Sequence, residues 1–510
     1  MRSSAFVAAV ACVVLPAACG KKNEAKKEEM KAETSVAVAP KKIVEAKQLP
    51  PLAADPGGAT GKPGWQSAFG GFGIDSPRGI AVGGDGSVYV CGYIEGETDF
   101  GGSIGKKKSA GKSDAFVAKF GPDGKLAWAH TFGAAREDSA NAIAVKGDKV
   151  VVAGTFLDEL KVGTFTKKSA GSDDLFIASF DKDGNADWLW TAGGIDSDGV
   201  NAIAAMPDGG WVIGGSFKDA LEITAGAKPA FLKAQGGSTD AILIKLAAGG
   251  DTEWVKQFGG NYDDAVMHVA VDANSFIYVQ GLFKDIAGWG GAQLKAGGGS
   301  DNDVVLAKYD VNGDHVWSQR FGNAFNEVAG GVAVDPAGNV TMAGSFENKG
   351  SISFGDKDDH VSLGEADVFV ARFGGDGKLQ WAKTYGGERI DVGYDVGLDQ
   401  SGNAIVTGWF EGTVDFGKGG TVSSKNLNKD VFVMKLNVKG DTVWVSTFGD
   451  KDHDQGRALA VDDKGNAFVT GLYRFKLALL DPPIEQKIDT SDPVLSKAPK
   501  PDVFVVKLER

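Results

Sequence analysis

The sequence predicts an all-β protein, a seven-bladed β-propeller of four-stranded blades. The main observation is a tryptophan that recurs at intervals of 60 to 66 residues. Regular copies at such a period are typical of repeat architectures, in which each repeat forms one supersecondary unit. The chain also has 74 glycines in 510 residues, which favours many turns between short strands. The seven copies are Trp65, Trp128, Trp188, Trp254, Trp317, Trp381 and Trp444.

One repeat, residues 332–385, contains four strand-like segments. Residues 332–335 and 340–346 are short apolar segments joined by a Pro-Ala-Gly-Asn turn. After a longer polar connection, residues 367–373 begin with apolar side chains on both faces, which indicates a strand covered on both sides. A Gly-Gly-Asp-Gly turn leads from there to the strand of Trp381. Four antiparallel strands with both faces covered are typical of a propeller blade between two neighbours.

Small residues identify the innermost strand of each blade. The position sixteen residues after each tryptophan is always Ala or Gly. Seven strands that converge on one axis leave little room for larger side chains, so we expect this strand at the centre and the Trp strand at the rim. The small residues are Ala81, Ala144, Ala204, Ala270, Ala333, Gly397 and Ala460.

The first and last repeats are incomplete in complementary ways. No strand of the Asp-X-Phe-Val type precedes Trp65, whereas the chain ends on such a strand, 502–508, with no Trp strand after it. We therefore expect 502–508 to pair with the Trp65 strand, which would complete blade seven and close the ring. An open array would instead leave two unpaired strand edges.

The N-terminus has the features of a secretory signal peptide over residues 1–18. Arg2 precedes an apolar core that ends in small residues and is too short to span a bilayer. The Ala-Ala-Cys-Gly sequence around Cys19 resembles a bacterial lipoprotein cleavage site, which implies acylation of Cys19 and anchoring in the membrane. Plain secretion without acylation is the alternative. Gly20 and Lys21 follow with no Asp, and by resemblance to Gram-negative lipoproteins this implies the outer membrane of the cell envelope.

The segment 19–62 is expected to be a disordered, lipidated tether, and the propeller is expected to occupy 63–510. The tether is rich in Lys, Glu, Ala and Pro and lacks aromatic residues, so it cannot bury enough apolar surface to fold. The net charge of the chain is −13, and residues 20–48 carry eight Lys against five Glu, so the rest of the chain is more acidic than the whole. An acidic body argues against nucleic acid as a partner. Cys91 is interpreted as a buried strand thiol.

The combined repeat pattern resembles the SBBP-type β-propeller repeat of bacterial surface and secreted proteins. The pattern reads Asp-X-Phe-Val-X-Lys-Phe, X-Asp-Gly-X-X-X-Trp, Phe-Gly-Gly, X-Ile-Ala-Val-Asp and Gly-Asn-X-X-X-X-Gly-X-Phe. It covers roughly residues 63–510, and it implies a monomeric propeller that presents a binding surface. The Asp-Gly-X-X-X-Trp part is also similar to the tryptophan-docking repeats of quinoprotein-like propellers, which include an assembly lipoprotein of the outer-membrane barrel machinery.

An acid stands ten residues after each tryptophan, just before the inner strand. We expect the seven acids to surround one mouth of the central channel. Each carboxylate would either accept backbone N–H groups and fix the local loop, or contribute to a cation or ligand site at the axis. The residues are Asp75, Asp138, Asp198, Asp264, Glu327, Asp391 and Asp454.

A second candidate for Ca²⁺ is the turn that contains Asp181, Asp183, Asn185 and Asp187. Its oxygen ligands alternate around a glycine, as in Ca²⁺ loops, although no bidentate Glu follows at the usual distance. A plain β-turn is the other reading. Apart from Ca²⁺ at these acidic positions, the sequence predicts no cofactor.

No catalytic motif emerges from the sequence. The five His residues do not recur at a repeat position, and phosphate-loop and His-Glu-X-X-His motifs are absent. The first hypothesis is therefore a non-enzymatic envelope lipoprotein whose propeller binds a protein or glycan. The alternatives are an envelope assembly factor of the quinoprotein-like kind and an enzyme with a site at the channel mouth. The connections between second and third strands vary most between repeats, as partner-binding loops do and as unconstrained loops also do.

Overall fold

The computed structural model describes residues 48–224, 229–299, 301–347, 350–356, 360–486 and 500–510. Over these residues the chain forms seven four-stranded antiparallel blades, as predicted. Each inner strand contacts the inner strands of both neighbouring blades, and contact between the last and the first inner strand closes the ring. The fold is therefore a seven-bladed β-propeller, with the Ile-Ala-Val type of strand innermost and the Trp strand outermost.

The strands of each blade follow here from the innermost to the outermost. Blade one contains Asp75–Val82, Val88–Ile94, Asp114–Phe120 and Leu126–Phe132, and blade two contains Ser139–Lys146, Lys149–Phe156, Asp174–Asp181 and Ala186–Ala192. Blade three contains Gly199–Ala205, Trp211–Lys218, Thr239–Leu246 and Thr252–Gly260, and blade four contains Ala265–Val271, Ile277–Phe283, Asp303–Tyr309 and His315–Phe321. Blade five contains Glu327–Val334, Val340–Glu347, Ala366–Phe373 and Leu379–Tyr385. Blade six contains Asp391–Leu398, Ala404–Phe410, Asp430–Leu436 and Thr442–Phe448, and blade seven contains Gln455–Val461, Ala467–Tyr473, Asp502–Leu508 and Pro63–Gly71.

The ring closes as the incomplete repeats predict. Pro63–Gly71 pairs antiparallel with Asp502–Leu508, and Trp65 lies opposite Lys507 in this pairing. The outer strand of blade seven thus comes from the start of the propeller, while its other three strands come from the end. This pairing covers the two strand edges that an open array of repeats would expose.

A short hairpin connects the second and third strands of every blade. Because consecutive strands are antiparallel, these hairpins emerge at the end of the propeller where the inner strands begin. We call this end the loop face and the opposite end the turn face. The hairpin strands are Glu97–Asp99 with Lys106–Lys108, Glu159–Val162 with Phe165–Lys168, Ala220–Ile223 with Ala230–Lys233, Ile286–Gly288 with Leu294–Lys295, Ser351–Ile352 with His360–Val361, Thr413–Asp415 with Thr421–Ser423, and Lys476–Leu477 with Ile484–Glu485. Two 3₁₀ turns, Gly417–Gly419 and Lys425–Leu427, accompany the hairpin of blade six.

The hydrophobic core lies between the blades. One cluster, for example, joins Val431 and Val433 of blade six to Val469 and Phe504 of blade seven, all fully buried. Seven such clusters line the ring. Cys91 is a free, fully buried thiol within one of them. No blade can bury its faces alone, so stability depends on the closed ring.

The repeated tryptophans fasten each blade to the next one. The indole of Trp254 packs over Gly313 in the turn between the third and outer strands of the following blade, and its Nε1 donates to the carbonyl of Val311 at 3.0 Å. Trp65, Trp128, Trp317 and Trp381 donate in the same way, at 2.9 to 3.1 Å. Gly313 has φ +72°, and a β-carbon there would lie 3.0 Å from Cη2 of Trp254. The turn glycine is thus required both by its backbone angle and by the indole above it.

Residues 48–62 pack against the turn face, which differs from the tether that composition predicts for them. Leu52 lies against Gly402, and the Ala53 N–H donates to the carbonyl of Gln400 at 3.0 Å. Asp55 pairs with Arg510 near the C-terminus at 2.5 Å. Backbone hydrogen bonds and a few apolar contacts are enough to order a segment whose own composition would not fold. Residues 1–47, which include Cys19, lie outside the described residues.

Candidate functional site

The seven repeated acids lie buried at the loop face, each at the entry to an inner strand. None of them is more than 2% exposed. Asp454 shows the common arrangement, in which Oδ2 accepts the N–H of Asp450 at 2.8 Å and Oδ1 accepts the N–H of Arg474 at 3.1 Å. Asp138 and Asp391 accept two N–H groups from the equivalent positions. Each such carboxyl ties the incoming loop to the end of the second strand of its own blade.

A second buried acid faces each of these seven residues across the blade interface. It stands at the start of the third strand of the preceding blade, where it caps the end of the hairpin connection. Sequence analysis missed this second acid, although the Asp of the Asp-X-Phe-Val pattern marks it in every repeat. The pairs are Asp75 with Asp502, Asp138 with Asp114, Asp198 with Asp174, Asp264 with Asp240, Glu327 with Asp303, Asp391 with Asp367, and Asp454 with Asp430.

The glycine five residues after each repeated tryptophan makes room for the two carboxyls. At Gly259, an added β-carbon would lie 2.7 Å from Oδ2 of Asp264 and 3.0 Å from Cγ of Asp240. Any side chain at this position would therefore displace an acid. A glycine recurs at this position because the carboxyl groups leave no room for a side chain. At Gly259 the backbone angle, φ +142°, is a second reason.

Burial changes the charge that these acids carry at neutral pH. Loss of solvation, reinforced by the partner carboxyl, raises the pKa of Asp138 and Asp391 to about 7 and that of Asp198, Asp264 and Asp454 to about 8. The same causes raise the pKa of Glu327 to about 9. Backbone N–H donors oppose this shift but are outweighed. At neutral pH the pairs thus retain protons that isolated carboxylic acids would release.

The paired carboxyls leave some oxygens without a hydrogen-bond partner. In the pair formed by Asp174 and Asp198, Oδ1 of the first and Oδ2 of the second are both buried and unpartnered. A proton shared between the two groups would satisfy this arrangement, and so would a cation. Within the described ranges no group of three or more His, Cys, Asp or Glu side chains is placed to hold a metal ion. Cation binding at the repeated acids remains a prediction.

The turn proposed as a Ca²⁺ loop is closed by its own amides. Oδ1 of Asp181 accepts the N–H groups of Asp183 and Asn185, both at 2.9 Å, and Oδ2 accepts the side-chain amide of Asn185 at 2.8 Å. Asp187 instead pairs with Lys149. Equivalent turns in other blades are closed in the same way, for example by Asp335 with Asn339.

A further cluster lies on the channel axis, where a β-bulge interrupts every inner strand. The bulged residue has no partner on the second strand. It follows each tryptophan by thirteen positions and differs from blade to blade, a variation that could have marked it in the sequence. The seven residues are Arg78, Asn141, Asn201, Met267, Gly330, Tyr394 and Arg457.

Three of these bulged residues meet at the axis, from blades six, seven and one. The guanidinium of Arg457 lies 4.8 Å from the ring centre of Tyr394, and that of Arg78 lies 5.4 Å from the ring centre of Tyr93. Arg78 also interacts electrostatically with both Arg457 and Tyr394, although blade seven separates it from blade six. We interpret this interaction across an intervening blade as evidence that these side chains lie on the channel side of their strands. We call Arg78, Tyr93, Tyr394 and Arg457 the axial cluster.

A lysine and a tryptophan extend the axial cluster toward the loop face. Nζ of Lys429 lies 3.8 Å from the ring centre of Trp409, and Lys429 also interacts with Arg457 and Glu411. Lost hydration lowers the pKa of Arg78, assisted by repulsion from Arg457, and burial lowers the pKa of Lys429. The mouth of the channel between blades six and one is thus a cationic, aromatic-lined site in an acidic protein.

Comparison with known proteins assigns the chain neither to a family nor to a function. No family model matches it. It is 29% identical over 217 residues to the regulatory protein FlaEY of Caulobacter vibrioides, which covers 40% of this chain and 22% of that protein. It is 23% identical over 280 residues to an uncharacterized WD repeat-containing protein, L264, of Acanthamoeba polyphaga mimivirus, which covers 46% of this chain and 20% of that protein. The chain thus spans about a fifth of the length of these curated relatives.

Solved structures align with much of the chain but superpose poorly. The WD40 domain of Neurospora crassa Pan2 superposes with a TM-score of 0.42 at 8% identity, over 85% of this chain and 89% of that one. Sqt1 from Chaetomium thermophilum superposes with a TM-score of 0.38 at 11% identity, over 87% of this chain and 98% of that one. Similarities of this size carry no functional argument. Among the described residues, no helix has the length and apolar character to cross a membrane.

Proposed function

We propose that this protein is a non-enzymatic lipoprotein of the cell envelope whose propeller binds a macromolecular partner at its loop face. The observation that carries the proposal is the position of its exposed apolar side chains. Nine of the twelve large apolar side chains that are exposed in the described residues lie in the loops and hairpins of the loop face. They are Phe72, Ile195, Phe231, Tyr262, Ile286, Phe325, Val361, Leu363 and Leu427.

The degree of exposure supports an interaction surface. Ile195 is 82% exposed, Phe231 70% and Leu363 67%, and these residues come from three different blades. Scattered single apolar residues need no explanation, but their concentration on one face is a property of binding surfaces. They stand on hairpins carried by a rigid ring, the usual placement of contacts on a scaffold. Apolar and aromatic side chains favour a protein partner over a glycan. The crosslinking experiment described below detects either kind of partner.

The anchor and the location in the envelope complete the proposal. The signal sequence and the Ala-Ala-Cys-Gly site support acylation of Cys19. Residues between Cys19 and the packed stretch at 48–62 would connect lipid and propeller. Since 48–62 lie on the turn face, the chain enters the propeller from the side opposite to the proposed binding face.

Site-specific photocrosslinking in intact cells tests the proposal. A photoreactive phenylalanine analogue replaces Phe231 or Leu363 on the loop face, and in matched controls it replaces Val438 or Val443, which are exposed elsewhere. We expect discrete crosslinked species from the loop-face positions and none from the controls. Protease treatment of these species separates a protein partner from a glycan. Equal crosslinking from both sets, or none from the loop face, would contradict the proposal.

A further inference from the structure

The cations of the axial cluster lack the acids that would balance them. In the part of the chain that the structure describes, neither Arg78 nor Arg457 has a carboxylate within ion-pairing distance, and Lys429 has none either. Glu411 is the one acid that interacts with Lys429, and it is shared with Arg389. Three cations thus face one carboxylate at the channel mouth.

Polar atoms at the same place are buried without a hydrogen-bond partner. Trp409 is 4% exposed, and its Nε1 donor has no acceptor. Nε of Arg457 and Nδ1 of His453 are likewise buried and unpartnered. Burial lowers the pKa of His453, the neighbouring carboxylate of Asp452 opposes this shift, and the charge of Lys429 adds to it, so His453 belongs to the same electrostatic site as Lys429. Buried donors are nearly always satisfied in folded proteins, so several unsatisfied donors at one site indicate a missing acceptor.

We infer that the axial cluster binds a small oxyanion, a molecule that presents a carboxylate or phosphate group at the channel mouth. The group would accept hydrogen bonds from Arg78 and Arg457, whose planar guanidinium groups suit bidentate contact with such oxygens. Lys429 and the Nε1 donor of Trp409 would complete its surroundings on the side of blade six. An acceptor-rich anion satisfies the unpaired donors and the excess positive charge together.

A purely structural role explains the cluster less well. Cations that stabilise a fold are paired, as Arg372 is with Asp335 and Lys435 with Asp399 in the buried turns of this same protein. The guanidinium groups of Arg78, which is exposed in the channel, and Arg457, which is half-buried, repel each other with no acid to balance them, and this costs stability. Stacking on Tyr93 and Tyr394 offsets only part of that cost. The side chains of the axial cluster would pack more favourably as apolar groups if packing were their only role.

The axial site is separate from the apolar surface of the loop face. The bulged residues lie within the channel, three positions beyond the repeated acids, whereas the exposed apolar side chains lie on the outer loops. A small anion at the axis would therefore coexist with a macromolecule on the loops. Failure of either proposal leaves the other standing.

Titration of the purified propeller with inorganic phosphate and with citrate tests the inference. Chloride at the same ionic strength controls for screening. We expect either anion to raise the melting temperature by a few degrees and to give saturable heat in calorimetry. The double variant Arg78→Gln with Arg457→Gln should lose affinity by tenfold or more. The two probes also separate phosphate from carboxylate recognition.

Two controls separate binding from folding and from general charge. Arg136→Gln removes a cation from the same face, where Arg136 pairs with Asp158 at 3.1 Å, and it should leave the response unchanged. The double variant without ligand should melt at the wild-type temperature or above it, because two repelling cations are gone. No response of the wild type to either anion, or an equal response in the double variant, would overturn the inference.

Discussion

The indole of Trp444 lies directly against Gly61, in the place where every other repeated tryptophan covers a turn glycine of the next blade. Blade seven has no turn between its third and outer strands, because these come from opposite ends of the chain. Gly61 supplies the missing glycine, with φ +61°, and the neighbouring hydrogen bond from Glu509 N–H to the Lys62 carbonyl at 2.7 Å supplies the missing turn contact. Residues 61–62 and Glu509 therefore take the place of the turn that the other blades have between their third and outer strands.

Replacing Gly61 should weaken the closed ring. A β-carbon there would lie 2.5 Å from Cε3 of Trp444, so Gly61→Ala must displace the indole as well as strain the backbone. We expect a loss of about 1 to 3 kcal/mol in the free energy of unfolding. Gly58→Ala is the matched control, since Gly58 also has positive φ, +73°, but has open space around it. Equal destabilisation by both variants, measured by chemical denaturation, would show that the indole contact contributes nothing.

The repeated tryptophans should act as packing anchors. Trp254→Ala removes both the indole that covers Gly313 and the hydrogen bond to Val311, and we expect a loss of about 3 kcal/mol. Trp254→Phe keeps the ring packing and loses the donor, so it should lose only about 1 kcal/mol. Denaturation curves of the two variants check this ranking. Partner crosslinking from the loop face should survive both changes, because Trp254 lies on an outer strand.

The paired carboxyls should make stability fall as pH rises. Their pKa is raised in the folded state above the ordinary value, so the folded protein holds more protons than the unfolded chain. Their favourable contribution is complete below about pH 4 and is lost as pH rises through 7 to 8. In metal-free buffer we expect the melting temperature to decline from pH 5 to pH 8. Asp454→Asn, which mimics the protonated acid, should make this decline smaller by the contribution of one pair.

The same variant decides whether the acids bind a cation. If Ca²⁺ occupies the pairs, adding it at pH 8 should raise the melting temperature of the wild type and give heat in calorimetry. Asp454→Asn removes one of the seven pairs, so it should reduce the heat of Ca²⁺ binding by about one seventh. No heat and no thermal shift would leave the pairs as proton-sharing contacts that join the blades.

Acylation should depend on one cysteine. Cys19→Ala should move the protein from the detergent phase to the aqueous phase in a phase-partition experiment, since the anchor would be absent. Cys12→Ala, within the apolar core of the signal, is the matched control and should leave partition unchanged. Partition of Cys19→Ala with the detergent phase would contradict lipid anchoring at this residue.

The sequence by itself determined the fold and its closure. The period of the tryptophans counts the blades, and the deficits at Trp65 and at 502–508 specify which strands must pair, because each blade needs four strands. These inferences depend only on local pattern and on the requirement that strand edges be paired. The seven acids could be found for the same reason, since each recurs at a fixed distance from a tryptophan. Their second partners, such as Asp502 beside Asp75, recur equally regularly, but the repeat does not show that the two meet across a blade interface.

Only the tertiary structure decided what lies at the axis and how the chain ends are held. Arg78 is hundreds of residues away from both Tyr394 and Arg457 in the sequence. The three residues meet because the ring closes and because a bulge turns each side chain into the channel. The variable position thirteen residues after each tryptophan can be found in the sequence, but residue types do not show that a bulge turns it into the channel. Likewise, composition assigns 48–62 to a tether, whereas the turn face offers hydrogen bonds that order this stretch. The physical reason is common to both: local sequence sets the strands, and contacts between distant strands set the sites.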